Sequence, residues 1–325
     1  MRIPTEAAPI IPASEEDQPL KPGSKGPAVE DAQRQLLRAG YSLPRYGADG
    51  DYGSETADAV RRFQKTNALP ETGVFDIATF YALENAPSPS PEYERLFKDH
   101  LLRGVVAIGH DETGAHEPEN QKLIEGLGFR GYTEVTADQR AKYGLDPAGR
   151  YVTKTMPYGD VVLELINSST PNAKARFANA LRNSELVLYG GHGRYGSGPD
   201  FDDIHSPAGN FVIGQPYEAG HVTLGPSDLQ AAPLTEDYQL MFFDGCSTYR
   251  YFDDLRAKKG KEALDVIGSN TELFWNVTAA NLLAVLDGVT EEKTLGQLTD
   301  DLDAVNRHGP DDQSGYFRGD GFEDN

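Results

Sequence analysis

The sequence predicts an α/β chain: a small N-terminal bundle of three helices, then an α/β sandwich with a mainly parallel sheet. Three observations predict it. Apolar residues recur at helical spacing before residue 84, a Pro/Ser stretch covers Glu84 to Pro91, and the remaining chain alternates short apolar runs with helical stretches. The length agrees, because 325 residues accommodate about two domains.

Taken in order, residues 1–20 are expected to be a disordered leader. Pro4, Pro9, Pro12 and the acidic run Glu15, Glu16, Asp17 stand where an export signal needs a basic segment and an unbroken apolar stretch. The module spans residues 21–84. Val29, Ala32 and Leu36 mark its first helix, Ala57, Val60 and Phe63 a second with Ser54 as N-cap, and Phe80 and Leu83 a third capped by Asp76. Gly40, Gly50, Gly53 and Gly73 fall in the turns between them. Residues 85–95, rich in Pro and Ser, read as an extended linker. Residues 96–325 form the second unit, with an acidic tail expected to be disordered from Thr299 onward. Its expected strands are Val105 to Ile108, Tyr132 to Val135, Leu186 to Tyr189, Leu240 to Phe243 and Leu264 to Ile267. Gln121 to Leu127 is read as helical, as is a stretch that opens at Pro171 and carries Phe177 and Leu181 on one face.

Thirty basic against 51 acidic side chains give a net charge of −21, which repels phosphate backbones and anionic membrane surfaces. Nucleic acid is therefore excluded as the natural partner. No apolar run approaches the roughly 20 residues of a membrane span. The single Cys246 excludes an internal disulfide.

Two of the apolar runs end in chemistry. Leu186 to Tyr189 is followed by Gly190-Gly191-His192-Gly193, and Leu240 to Phe243 by Asp244-Gly245-Cys246-Ser247. Residues just past the carboxyl ends of neighbouring parallel strands share one sheet edge, so His192 and Cys246 are expected to meet. Cys246 is then the candidate nucleophile and His192 its acid and base. The Gly193 and Cys246 N–H groups are candidate oxyanion donors. Asp244, Asp200 and His110, at or beyond strand ends, are expected to contact substrate. The acidic surroundings, with Asp202, Asp203, Asp228, Asp253 and Asp254, favour a basic residue before the cleaved bond. No His-x-His or His-Glu-x-x-His occurs, and the loose grouping of His192 and His205 with aspartates between them reads as an acidic, solvated loop, so no metal site is expected. No cofactor is required; the Asp49-Gly50-Asp51 turn leaves calcium open, although the other ligand positions of a calcium loop are missing.

The series Gly26, Val29, Leu36, Gly40-Tyr41, Asp49-Gly50-Asp51-Tyr52-Gly53, Thr56, Ala59-Val60, Phe63-Gln64, Leu69-Pro70, Thr72-Gly73 and Asp76 resembles the three-helix peptidoglycan-binding module. That resemblance implies attachment to bacterial cell wall, and hence an extracytoplasmic place, in the wall or periplasm, with a cytoplasmic one left open. An apolar run ending in His-Gly and a second ending in Asp-x-Cys resemble the caspase-like cysteine peptidases, which include caspases, metacaspases, clostripain, legumains and gingipains. The two residues are 54 positions apart, against about 50 in caspases. The resemblance implies a Cys-His endopeptidase acting on protein or peptide, cutting after Arg or Lys as many bacterial members do. Three alternatives remain open: a non-catalytic peptidoglycan-binding adaptor or component of a secreted assembly, an L,D-transpeptidase, and a zinc peptidase. L,D-transpeptidases use a Ser-His-Gly-Cys setting, whereas Phe243-Asp244-Gly245 precedes the cysteine here.

Overall fold

The computed structural model describes residues 19–43, 45–193, 198–202, 212–213, 229, 234–259, 263–307, 316–320 and 322. The chain divides into two compact units, Met1–Leu36 with Ala48–Ala86, and Leu37–Gly47 with Pro87–Asn325.

The first unit is built on α1 (Pro27–Arg38), α2 (Ser54–Thr66) and α3 (Ile77–Glu84). Val29, Ala32, Leu36, Ala57, Val60 and Phe63 are all buried, as their spacing requires. Its turns are held from the helices. The Gln33 amide donates to Asp49 Oδ1 (2.9 Å) and Thr56 Oγ1 (3.0 Å) and accepts from the Gly50 N–H (2.8 Å). The Gln64 amide does the same for the second turn, donating to the Val74 carbonyl (2.9 Å) and Thr79 Oγ1 (3.0 Å) and accepting from the Gly73 N–H (2.9 Å). Both glycines sit at positive φ, +72° and +66°, which side chains rarely adopt. Asp76 caps α3 by accepting from the Thr79 N–H. The cap of α2 is Gly53 rather than Ser54, which is the first helical residue, because the Ala57 N–H bonds to the Gly53 carbonyl.

The second unit is mixed α/β with a mainly parallel sheet. Its strands are β1 (Leu101–Ile108), β2 (Thr133–Glu134), β3 (Tyr151–Met156), β4 (Gly159–Asn167), β5 (Leu186–Gly190), β6 (Gln239–Asp244), β7 (Leu264–Ser269) and β8 (Phe317–Asp320). They lie in the order β2-β3-β4-β1-β5-β6-β7-β8. The central five, β4 to β7 through β1, are parallel, while β2-β3-β4 at one edge and β8 at the other pair antiparallel. The helices are α4 (Tyr93–Leu96), α5 (His116–Phe129), α6 (Ala137–Tyr143), α7 (Ala173–Asn183), α8 (Phe252–Lys259), α9 (Thr278–Thr290) and α10 (Leu295–Asn306).

Side-chain alternation sorts the strand residues onto two cores. Leu186, Leu188, Leu240 and Phe242 face Leu123 of α5, Leu282 and Leu286 of α9 and Leu298 of α10. Val187, Tyr189, Met241 and Phe243 face Phe177 and Leu181 of α7 and Leu255 of α8. Each fully buried Leu or Phe contributes about 2–3 kcal/mol of transfer free energy, which is why both faces of the central strands are apolar.

Four local expectations change. The α7 helix starts at Ala173 after Asn172, so Pro171 lies in the preceding turn. The β3–β4 hairpin has no counterpart in the sequence reading, because Lys154, Asp160 and Glu164 break its apolar pattern. Residues 88–91 are no free strap: the Leu295 N–H donates to Pro89 O (2.7 Å) and Pro91 is buried. From Thr299 onward the chain is not disordered throughout, since residues 299–306 complete α10 and β8 is a buried edge strand with Arg318 inside.

Candidate functional site

The registry of β5 and β6 sets the site. Gly190 pairs with Asp244, and His192 and Cys246 each follow two residues later on adjacent parallel strands. The turns that carry them touch through backbone. The Gly191 N–H donates to the Asp244 carbonyl (2.8 Å). A Cβ on Gly245 would lie 2.3 Å from the Gly191 carbonyl oxygen and 3.1 Å from the Gly193 nitrogen, and one on Gly193 would lie 2.4 Å from the Cys246 carbonyl oxygen. Only glycine fits such an approach.

Hydroxyl groups absent from the sequence reading hold these turns. The Tyr189 hydroxyl donates toward the His192 carbonyl (3.2 Å) and accepts from the Asp200 N–H (3.0 Å), while the Tyr251 hydroxyl donates to the Gly193 carbonyl (2.9 Å). Thr248 Oγ1 donates to the Phe243 carbonyl (2.7 Å), and the Ser269 hydroxyl donates to the Gly245 carbonyl. The available signal was an aromatic hydroxyl ending an apolar run, at Tyr189, and Ser and Thr beside the strand ends.

Cys246 is half-buried, and burial pushes its thiol above the ordinary range, with Glu272 and Asp244 adding to the rise against hydrogen bonds from the Leu273 N–H and its own. The loop after β7 thus reaches the sulfur, and it presents Phe274 and Trp275 half-exposed. His192 is 37% exposed, with Nε2 3.6 Å from Glu112 Oε2 and 3.8 Å from Asp111 Oδ1. Asp111 is oriented by the Thr113 hydroxyl (2.7 Å) and the Ala115 N–H. Burial opposes ionisation of its carboxyl, but those hydrogen bonds hold it below the usual range. Asp111, Glu112 and His192 offer three donor atoms within 4.8 Å of one another, of types able to hold a divalent cation, where the sequence reading expected no metal ligands.

The expected substrate contacts separate. Asp244 is not a lining residue. Its side chain is buried and accepts from Asn281 Nδ2 (2.9 Å), while Asn281 Oδ1 in turn accepts from Asn306 Nδ2 (2.9 Å). Burial lifts the Asp244 carboxyl to about 7, with Glu119 nearby adding to the rise and the bonds from Asn281 and Thr278 opposing it. Asp200 is likewise fully buried, its carbonyl accepting from the His110 N–H (3.0 Å). His110 is half-buried at the carboxyl end of β1, on the edge that carries His192. Asp253 and Asp254 sit in the first turn of α8, where the helix N-terminus favours negative charge. His205, Asp203 and Asp228 lie outside the described residues.

Comparison with known proteins decides the first unit. Residues 25–83 match the family described as putative peptidoglycan binding domain. The chain carries a peptidoglycan-binding domain at its N-terminal side. Over part of its length it is similar to amidases: it is 32% identical over 152 residues to a probable N-acetylmuramoyl-L-alanine amidase of Bacillus licheniformis, covering 42% of this chain and 43% of the relative. It is 45% identical over 64 residues to the amidase CwlL of the same organism, covering 20% and 18%. The chain thus spans less than half the length of the curated relatives it matches. Among solved structures, a peptidoglycan-binding protein from Clostridioides difficile is 34% identical, covers 21% of this chain and 41% of its own, and has a TM-score of 0.20. Among the described residues no helix is long and apolar enough to cross a membrane.

Proposed function

We propose that the chain is a wall-attached, extracytoplasmic amide hydrolase, a caspase-like cysteine endopeptidase in which Cys246 and His192 form the dyad. The registry of β5 and β6, which sends both residues from adjacent strand ends, is the observation that carries this reading. His192 takes the thiol proton and the thiolate attacks the carbonyl carbon. The oxyanion is met by the Gly193 and Cys246 N–H groups. His192 then returns the proton to the amine nitrogen as the C–N bond breaks, and water hydrolyses the acyl thioester. Asp111 and Glu112 would compensate the charge of the transient imidazolium. Burial pushes the thiol up and so disfavours a resting thiolate, which assigns proton transfer to the substrate-bound state. The acidity of the chain favours basic residues before the cleaved bond.

Cys246→Ala should lower cleavage of a mixed peptide library at least about 10³-fold with the fold intact; undiminished cleavage would sink the assignment. Purified sacculi should carry the full chain into the pellet, and its persistence in the supernatant would remove the anchor. A second reading, metal-assisted hydrolysis of a wall amide bond, is favoured by the Asp111, Glu112 and His192 cluster. A cation held there would supply Lewis-acid chemistry. Activity that survives Cys246→Ala but not a chelator would select it.

A further inference from the structure

Asp244 ends β6, two residues before Cys246, and its carboxyl is turned away from solvent toward α9. There it accepts from Asn281 Nδ2 (2.9 Å) and from the Thr278 hydroxyl, and Asn281 Oδ1 accepts from Asn306 Nδ2 of α10 (2.9 Å). All four residues are buried, and the partners are neutral. Among the described residues no Lys, Arg or His bonds to the Asp244 carboxyl. The charge that acts on it has its own sign: Glu119 of α5, also buried, whose Oε1 holds Lys122 Nζ (2.6 Å) and whose Oε2 accepts from the Ala279 N–H (2.9 Å). A carboxyl enclosed in this way without a cation is more stable as the acid than as the anion. Two residues on, the Cys246 sulfur receives the Leu273 N–H and feels two carboxyls, Asp244 and Glu272 of the segment after β7.

We propose that Asp244 is a positioning residue that acts as a neutral carboxylic acid: it ties the Cys246 turn to α9 and keeps negative charge away from the reacting sulfur. The proposal rests on the cysteine reading. A thiolate at Cys246 and an oxyanion at the Gly193 and Cys246 N–H groups are both negative, and a buried carboxylate beside them opposes both through a low-dielectric interior. The Asp244 carboxyl, lifted to about 7, changes charge near neutrality, so hydrolysis is favoured below that pH and weakens as pH rises through it. An aspartate that only fastened the strand end to α9 would serve in either charge state, because both carboxylate and acid accept from Asn281.

The chain has one thiol, so alkylation by iodoacetamide reports Cys246 alone. Followed against pH on the full chain, the alkylation midpoint should fall by about half a pH unit or more in Asp244→Asn, which keeps an acceptor for Asn281 without the charge. It should stay in place in Glu119→Gln, which removes a buried charge elsewhere. Peptide cleavage by the natural chain should drop roughly threefold or more between about pH 6.5 and about pH 8.5. Asp244→Asn should abolish that drop. Glu119→Gln, by removing the like charge that lifts Asp244, should move the drop to lower pH, a check that does not depend on the Asp244 variant. An unchanged alkylation midpoint in Asp244→Asn, or a drop that keeps its position in both variants, overturns the proposal. Undiminished cleavage by Cys246→Ala would instead remove the cysteine reading, whereas the alkylation midpoint tests the charge coupling with no peptide present.

Discussion

The turns of the first unit and the turns of the β5–β6 edge solve the same problem with different chemistry. In the first, Gln33 and Gln64 reach from helices and bind the Gly50 and Gly73 N–H groups, so a neutral amide holds each of these glycines. At the edge, Gly191, Gly193 and Gly245 pack backbone on backbone, and a buried carboxyl, Asp244, anchors the strand end beneath them. Amides do not titrate and carboxyls do. The difference teaches that the binding unit should be indifferent to mild pH change while the proposed reaction edge is not.

The largest expected effect tests that contrast directly. The folded Asp244 carboxyl is raised to about 7 from an ordinary 3.8, so the native state holds a proton that the unfolded chain has released. Stability therefore falls as pH rises from about 4 to about 7 and levels off above, by on the order of 4 kcal/mol. Asp244→Asn should flatten this slope in denaturant titrations at pH 4.5, 6 and 7.5, and an unchanged slope would break the comparison. Next, Gly245→Ala should force the two turns apart, cutting hydrolysis about 10²-fold and destabilising the second unit by about 1–3 kcal/mol. Activity and melting measured on one preparation separate the two losses. Gln64→Leu should cost about 1–3 kcal/mol by orphaning the Gly73 N–H. It should loosen hydrogen-exchange protection across residues 63–79 without altering cleavage of a soluble peptide. The smallest effect is expected for Tyr81→Ala, within about 0.5 kcal/mol in stability because the ring is mostly exposed. A larger change would mean that the ring supports its unit.

Much of this was legible in the residues. The three helices of the first unit followed from apolar spacing, and the Asp76 cap from its chemistry. Of the sheet, the strands buried on both faces stood out as unbroken apolar runs, whereas β3 and β4 were hidden by Lys154, Asp160 and Glu164, since an edge hairpin buries only part of its surface. The tail was misread for a related reason: its charge suggested solvent, yet Arg318 and Asp320 are buried in β8. Within the candidate site, the adjacency of the His192 and Cys246 turns followed from strand order alone. The burial of Asp200 and Asp244 did not, because a carboxyl next to a strand end looks the same in sequence whether it faces solvent or a helix. Tyr189 and Tyr251 were invisible as site residues because hydroxyl partners are fixed only by three-dimensional approach.

The glycine packing at the β5–β6 edge also limits how such a protein can diverge. With Gly191, Gly193 and Gly245 each filling the space a side chain would need, neither turn can acquire a new specificity by substitution. Among the described residues, the freedom to change what is accepted next to Cys246 then lies in the segment after β7, where Leu273 touches the sulfur and Phe274 and Trp275 stand half-exposed. A directed-evolution library confined to residues 272–275 would explore new selectivities while leaving the proposed reacting groups untouched.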